Sequence, residues 1–229
     1  MEELVANGCS YMLGYSAGGG QDLARRLQIP ESSSIAVAGS ANSRIIRTTL
    51  KHSYQTNKPT FYVIGLSFVC RWEISISETL NEFEGRWVNV ATMSEFRPQF
   101  NWTKQDSESF TELNFKGTTF GMQDMWDDLI FRLLSMLGDL RSRGHQALIY
   151  NQIDAPESFL NDSQIKLLGQ DPSFVHALCW RAIPWQRSQG VPAVKTDVSP
   201  DGCKHLEFGY HDHLNIFLTD YITQHNILK

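Results

Sequence analysis

Short apolar runs that stop at a glycine-led polar turn set the rhythm of this chain. Leu4-Val5-Ala6 ends at Asn7-Gly8, Ser34 to Ala38 (SIAVA) ends at Gly39-Ser40-Ala41-Asn42, and Thr60 to Ile64 (TFYVI) ends at Gly65-Leu66-Ser67. Each run reads as a buried strand with its turn at the carboxyl end. Helical spacing follows the first two: Asp22 to Leu27, and Ser43 to Lys51 with Ile45, Ile46 and Leu50 on one side. The longest amphipathic stretch is Met122 to Arg143, where Trp126, Leu129, Ile130, Leu133, Leu134, Leu137 and Leu140 recur at helical intervals and Gly144 marks the stop. Gln146 to Asn151 (QALIYN) predicts a fourth strand. Glu207 to Ile222 predicts a terminal helix with Leu214, Phe217, Leu218 and Tyr221 inward. Strands alternating with helices predict a single α/β domain over 1–229, doubly wound and flavodoxin-like, with a central parallel sheet flanked by helices.

Two stretches break the rhythm. Glu73 to Gly121 has no sustained period but carries Phe83, Trp87, Phe96, Phe100, Trp102, Phe110 and Phe115. That is too apolar for disorder, so 73–121 is expected to be an aromatic-rich insertion folded over the sheet, either a lid or a peripheral patch. Ala155 to Val198, with Pro184 and Pro192, predicts irregular structure closing one side of a site.

Composition narrows the function classes. With 229 residues and 41% hydrophobic content, the chain can bury one good core. A net charge of −5 and no Lys/Arg run give no electrostatic footprint for nucleic acid. No apolar run suits a membrane span, and MEELVANGCSY turns polar too early for a signal peptide. The expectation is therefore a cytoplasmic protein with neither nucleic-acid nor membrane partners. Cys9, Cys70, Cys179 and Cys203 form no Cys-x-x-Cys pair, which fits reduced thiols.

Ser10 falls in the turn after the first strand, at the sheet edge where open α/β folds bind their ligands. A serine there can act as a nucleophile if a base and oxyanion donors come from elsewhere. Among seven histidines, His205 stands out: it follows the Asp201-Gly202 turn and precedes the terminal helix. Its imidazole can accept the serine proton while a nearby carboxylate fixes its tautomer. Backbone N–H groups of Ser10 and Gly39 and the Asn42 amide are the candidate oxyanion donors. His205, His211 and His213 also raise a zinc reading, but residues two apart on a helix point to different faces, so no metal and no cofactor is expected. Cys9 raises a thiol-nucleophile reading, against which stands the role of a small buried residue at a strand end.

Gly8-Cys9-Ser10-Tyr11-Met12-Leu13-Gly14 resembles the first block of the SGNH (GDSL-type) hydrolases, in the Gly-Cys-Ser-Tyr form found in SGNH-like proteins of bacteria and phages. Cys9 stands where the main family has Asp. His205, His211 and the end of the chain resemble the fifth block, in which Asp-x-x-His is followed by a second His and a terminal helix. Asp201 lies one residue further from His205 than that pattern, and Leu206 replaces its Pro, so Asp197 and Asp212 stand as alternative carboxylates. Gly39 matches the second-block glycine. The third-block Asn is absent from Gly65-Leu66-Ser67-Phe68, and Asn42 is its substitute. Arg71 and Glu73 resemble an Arg-x-Glu feature of the phage-like branch, with Arg71 a candidate for an anionic substrate group or for an ion pair with Glu73.

The resemblance implies a serine hydrolase of carboxylic esters, O-acetyl groups on a saccharide included, with Ser10, His205 and Asp201 catalytic. The alternative is a non-catalytic SGNH-fold binding or structural module with a protein partner. If the chain is phage-encoded, the host cytoplasm or the virion is where it would be found.

Overall fold

The computed structural model describes residues 1–9, 12, 19–37, 40–67, 73–75, 87–89, 103, 105–106, 109, 122–151, 160–175, 197–198, 204–205 and 209–229. Four parallel strands form its centre, in the order β2-β1-β3-β6. They are β1 (Glu3–Asn7), β2 (Glu31–Ser34), β3 (Thr60–Leu66) and β6 (Gln146–Asn151). A parallel bridge from Ile149 to Phe174, with Ile149 N–H donating to Ser173 O at 2.7 Å, adds the start of a further strand beyond β6. The sheet therefore grows outward from β1 in both directions, as in a doubly wound fold.

Among the described residues five helices connect and cover the strands: α1 (Gly20–Arg26), α2 (Asn42–Gln55), α3 (Met122–Ser142), α4 (Asp162–Leu168) and α5 (Gly209–Gln224). Alternation along the strands sorts the core into two halves. Leu4, Ala6, Phe61, Val63, Leu148 and Tyr150 face Leu23 and Ala24 of α1 and Leu214, Leu218, Tyr221 and Ile222 of α5. Val5, Tyr62, Ile64, Ala147 and Ile149 face the other way, onto Ile45 and Ile46 of α2 and the stripe from Trp126 to Leu140 of α3. Leu133, fully buried in that stripe, illustrates the scale: truncating such a residue to Ala costs about 2–5 kcal/mol. At the end of α3 the chain turns through Gly144 at φ +78°, a conformation that favours glycine, and His145 N–H bonds back to Leu140 O at 3.0 Å.

Three boundaries differ from the sequence reading. The second strand is Glu31–Ser34, a polar ESSS run of alternating exposure at the sheet edge, rather than Ser34 to Ala38. Edge pairing with β1 overrides its weak strand propensity. Ile35 and Val37 continue the contact, donating to Ala6 O at 2.9 Å and Gly8 O at 3.2 Å. Gly65 and Leu66 belong to β3, in register with Tyr150 and Asn151, so the turn begins only at Ser67. Within Ala155 to Val198 the chain forms α4, nucleated by a reciprocal capping box between Asn161 and Gln164 that the sequence reading missed.

Residues 73–121 are described in part. β4 (Glu73–Ser75) and β5 (Trp87–Asn89) pair antiparallel, and Arg47 Nη2 of α2 meets Glu73 Oε1 at 2.7 Å. The arrangement of the rest of that insertion lies outside the described residues. A last antiparallel pair, β7 (Asp197–Val198) and β8 (Lys204–His205), precedes α5.

Candidate functional site

Parallel strands bring their carboxyl ends to one edge, and in sequence Ser10, Gly39 and Arg71 follow β1, β2 and β3, whereas His205 belongs to the separate β7–β8 pair. Ser10, Gly39, Arg71 and Asp201 themselves lie outside the described residues, as do the side chains of Asp197, His205, His211, Asp212 and His213. What is described is the frame that holds their neighbours.

Asn7 closes β1 with its side chain fully buried. Its Nδ2 donates to Ile45 O at 2.9 Å and lies 3.0 and 2.8 Å from the hydroxyls of Thr48 and Thr49, while its Oδ1 accepts Gly8 N–H at 2.8 Å. One amide thus joins the start of the Gly8-Cys9-Ser10 turn to the body of α2. Cys9 O accepts Met12 N–H at 2.9 Å, a bond that spans Ser10 and Tyr11. Met12 is buried, and Tyr150 OH at the end of β6 donates to its Sδ at 2.9 Å. Cys9 is buried and free. That is the small-residue role rather than an exposed thiolate nucleophile.

Asn42, the first residue of α2, meets the end of β3. Its Nδ2 donates to Ser67 O at 3.0 Å, and its Oδ1 accepts Ser67 N–H at 2.8 Å. The amide pairs with the Ser67 peptide as one strand pairs with another. An amide nitrogen carries two hydrogens, so only the second would serve an oxyanion, and Asn42 is first a strut between the Gly39 turn and β3. Asn215, fully buried on α5, donates to Gly19 O at 2.8 Å and to Asp22 Oδ2 at 3.1 Å. It links the exit of the Ser10 loop to the helix that follows His205. Burial alone would raise the Asp22 pKa, but hydrogen bonds from Arg26 and Asn215 and the charges of Arg26 and Arg25 hold it below the usual carboxylate range. None of these three struts was identified from sequence as a strut. An Asn at a strand end or in a helix is a weak signal until its partners are known.

On the histidine side, the β7–β8 register sets Asp197 directly opposite His205. Asp201 falls in the connection between the two strands. Glu73, which the sequence reading paired with Arg71, is nearly buried and takes Arg47 as an ion-pair partner. Among the described residues no group of three His, Cys, Asp or Glu is arranged to hold a metal.

A four-stranded parallel sheet flanked by helices is the fold of the SGNH (GDSL-type) hydrolases, and this chain has that fold. A structure described as a candidate lipolytic protein of the G-D-S-L family from Desulfitobacterium hafniense DCB-2 aligns at TM-score 0.52 and 8% identity over 96% of this chain and 99% of that one. TesA aligns at TM-score 0.48 and 13% identity over 95% of this chain and 97% of its own. The psychrotrophic esterase EstA from Pseudoalteromonas sp. aligns at TM-score 0.43 and 10% identity over 98% of both chains. No family model matches the sequence. No curated protein matches it either.

Proposed function

We propose that this chain is a serine hydrolase of carboxylic esters, with O-acetylated saccharides as the first substrate class to test. The observation that carries the reading is the carboxyl edge of the sheet, where buried struts bind the segments flanking Ser10 and Gly39 to β1, α2 and β3. Ser10 Oγ attacks the ester carbonyl carbon and His205 takes its proton. The tetrahedral oxyanion is met by the backbone N–H groups of Ser10 and Gly39, with the second Asn42 Nδ2 hydrogen as a further donor. Collapse expels the alcohol, which leaves with the proton from His205. Water then attacks the acyl-enzyme with His205 again as base, and the carboxylic acid is released. Arg71 is the candidate for an anionic group on the substrate.

Two carboxylates compete to orient His205. The SGNH pattern supports Asp201, which we assign to the role. The ladder register supports Asp197, because directly opposed residues on antiparallel strands have the closest Cβ atoms. Asp201→Asn and Asp197→Asn, assayed side by side, separate them: the true partner lowers kcat and moves the acid limb of the pH profile downward, since losing the carboxylate lowers the imidazole pKa from a raised value toward about 6.5.

A fluorophosphonate probe tests the activity itself, because it labels only an activated serine. Labelling of the protein and its loss in Ser10→Ala are expected, with turnover of p-nitrophenyl acetate in parallel. No labelling, together with a stable protein partner, would leave the fold as a binding or structural module.

A further inference from the structure

Arg44 is the largest fully buried side chain in the described core, 1% exposed, and nothing in the hydrolytic steps above uses it. It stands in the first turn of α2, directly after the Gly39 turn. Its Nη1 lies 3.2 Å from Ile35 O and 3.3 Å from Ser40 Oγ. Ser40, also fully buried, passes the contact on: its hydroxyl donates to Val37 O at 2.6 Å. Val37 N–H is in turn bonded to Gly8 O at 3.2 Å, and Ile35 N–H to Ala6 O at 2.9 Å. One guanidinium therefore reaches a residue on each side of Ala38-Gly39: Ile35, which is bonded directly to β1, and Ser40, which is tied to the end of β1 through Val37.

Burying a guanidinium is expensive unless its hydrogens are used. A lysine could bring the same charge and a methionine much of the same bulk. A methionine has no hydrogen to give Ile35 O or Ser40 Oγ, and a lysine, whose ammonium could donate to both, lacks the planar guanidinium that holds Nη1 at a fixed angle to the rest of the group. Placing such a group between Ile35 and Ser40, the described residues that bracket Ala38-Gly39, makes sense if the course of the chain there matters beyond stability.

We propose that Arg44 is a positioning residue, fixing the Gly39 turn against the Ser10 turn and so setting the oxyanion-binding geometry of the proposed hydrolase. The inference rests on that hydrolase reading. Backbone donors cannot adjust their own direction, so stabilisation of a developing oxyanion depends on how firmly the chain around them is held.

The test uses the full-length protein with Arg44→Met, Arg44→Lys and Ser40→Ala. Arg141→Met serves as a control, because it removes a forked guanidinium at the opposite, amino edge of the sheet. Fluorophosphonate labelling rates, kcat and KM for p-nitrophenyl acetate, and Tm are measured for each. A shift of the turn should slow labelling and lower kcat in Arg44→Met by about 10²-fold with KM nearly unchanged, since misplacement by about 1 Å costs on that order. Arg44→Lys should recover a minor part of the rate. Arg141→Met should lose stability yet label at the wild-type rate.

Labelling of folded Arg44→Met at the wild-type rate overturns the inference, as does an equal slowing in Arg141→Met. If Arg44→Met does not fold, Ser40→Ala carries the test, because it deletes only the hydroxyl between Arg44 and Val37: slowed labelling is expected, and an unchanged rate overturns the inference. A wild-type protein that never labels overturns the hydrolase reading and takes this inference with it. A labelled wild type with unaffected variants overturns this inference alone.

Discussion

The two edges of the central sheet are held by different chemistry. At the carboxyl edge the buried struts are two amides and a guanidinium: Asn7 ties β1 to α2, Asn42 ties α2 to β3, and Arg44 braces residues on either side of Ala38-Gly39. At the amino edge they are imidazoles, a phenol and a carboxylate. His145 Nδ1 accepts Thr60 N–H at 3.1 Å, His52 Nδ1 lies 2.9 Å from Tyr62 OH, and both rings meet Tyr62 edge-on with centroids 5.7 and 5.8 Å away. Arg141 forks onto Asp171 through two contacts of 2.7 Å. Amides and guanidinium do not change charge between pH 4 and 9, whereas imidazoles and carboxylates do on approaching acid. The struts that flank Ser10 and Gly39 are thus groups whose charge is indifferent to pH, whereas the amino edge carries His52 and Asp171, whose shifted pKa values make its contribution to stability depend on pH.

Ser10→Ala gives the largest expected effect and the sharpest test of that division. Activity should fall by on the order of 10⁴-fold or more, with Tm unchanged. A substantial change in Tm would mean that the serine turn also supports the fold. The next effect is one of stability. Asn7→Ala takes the side-chain acceptor from Gly8 N–H and removes the amide contacts to Ile45 O, Thr48 and Thr49 in the core, which should cost about 1–3 kcal/mol. Denaturant unfolding at pH 8 and pH 5 should show the same loss at both. A loss that depends on pH would break the contrast between the edges.

Asp171→Asn probes the other side at smaller scale. Burial alone would raise the Asp171 pKa, but hydrogen bonds from Arg141 and Ser173 and the Arg141 charge hold it below the usual carboxylate range. A carboxyl depressed in the folded state stabilises above its unfolded pKa of about 3.9 and loses that contribution as pH falls. Arg141 is 41% exposed, so solvent screening limits the pair to about 1 kcal/mol. The loss in Asp171→Asn should be present at pH 7 and shrink near pH 3. An equal loss at both would assign the effect to packing.

How much of this could be read beforehand depended on which physical signal each feature emits. Strands buried on both faces, such as Thr60–Leu66, announce themselves by continuous apolar composition, and α3 by its stripe. Glu31–Ser34 emits no such signal, because an edge strand of serines is made a strand by its neighbour β1. The helix Asp162–Leu168 was hidden by its length, being set by a side-chain cap at Asn161. For the proposed site, the sequence offers Ser10 and Gly39 as residue types at glycine-led turns and His205 as an imidazole ahead of the terminal helix; Ser10 and Gly39 lie outside the described residues. The struts were not legible. The partners of Asn7 lie up to 42 positions away in sequence and those of Asn215 up to 196, and only the folded chain brings them together. Asn42 was legible as a polar residue in the right turn, but its pairing with Ser67 was not.

The smallest effect expected concerns His52. Burial lowers its pKa, Glu3 pulls it back up, and the neighbouring His145 lowers it further, for a net downward shift from about 6.5. An imidazole depressed in the folded state binds fewer protons than in the unfolded chain, so its contribution is complete above about pH 6.5 and is lost as pH falls through the folded value. Protonation also places a charge beside His145 and sets a second hydrogen on the ring that meets Tyr62, whose own ionisation burial pushes upward. His52→Gln keeps a polar group in reach of Tyr62 OH but cannot titrate. Between pH 7 and pH 5, where Asp22 and Asp171 with their lowered pKa values remain ionised, the wild type should lose a few degrees of Tm more than His52→Gln, about 3 °C at most for a chain of this size. The measurement is thermal unfolding at constant ionic strength across that window. If both proteins lose the same amount, the imidazole is not the titrating group, and the amino edge owes its acid sensitivity to its carboxylates alone.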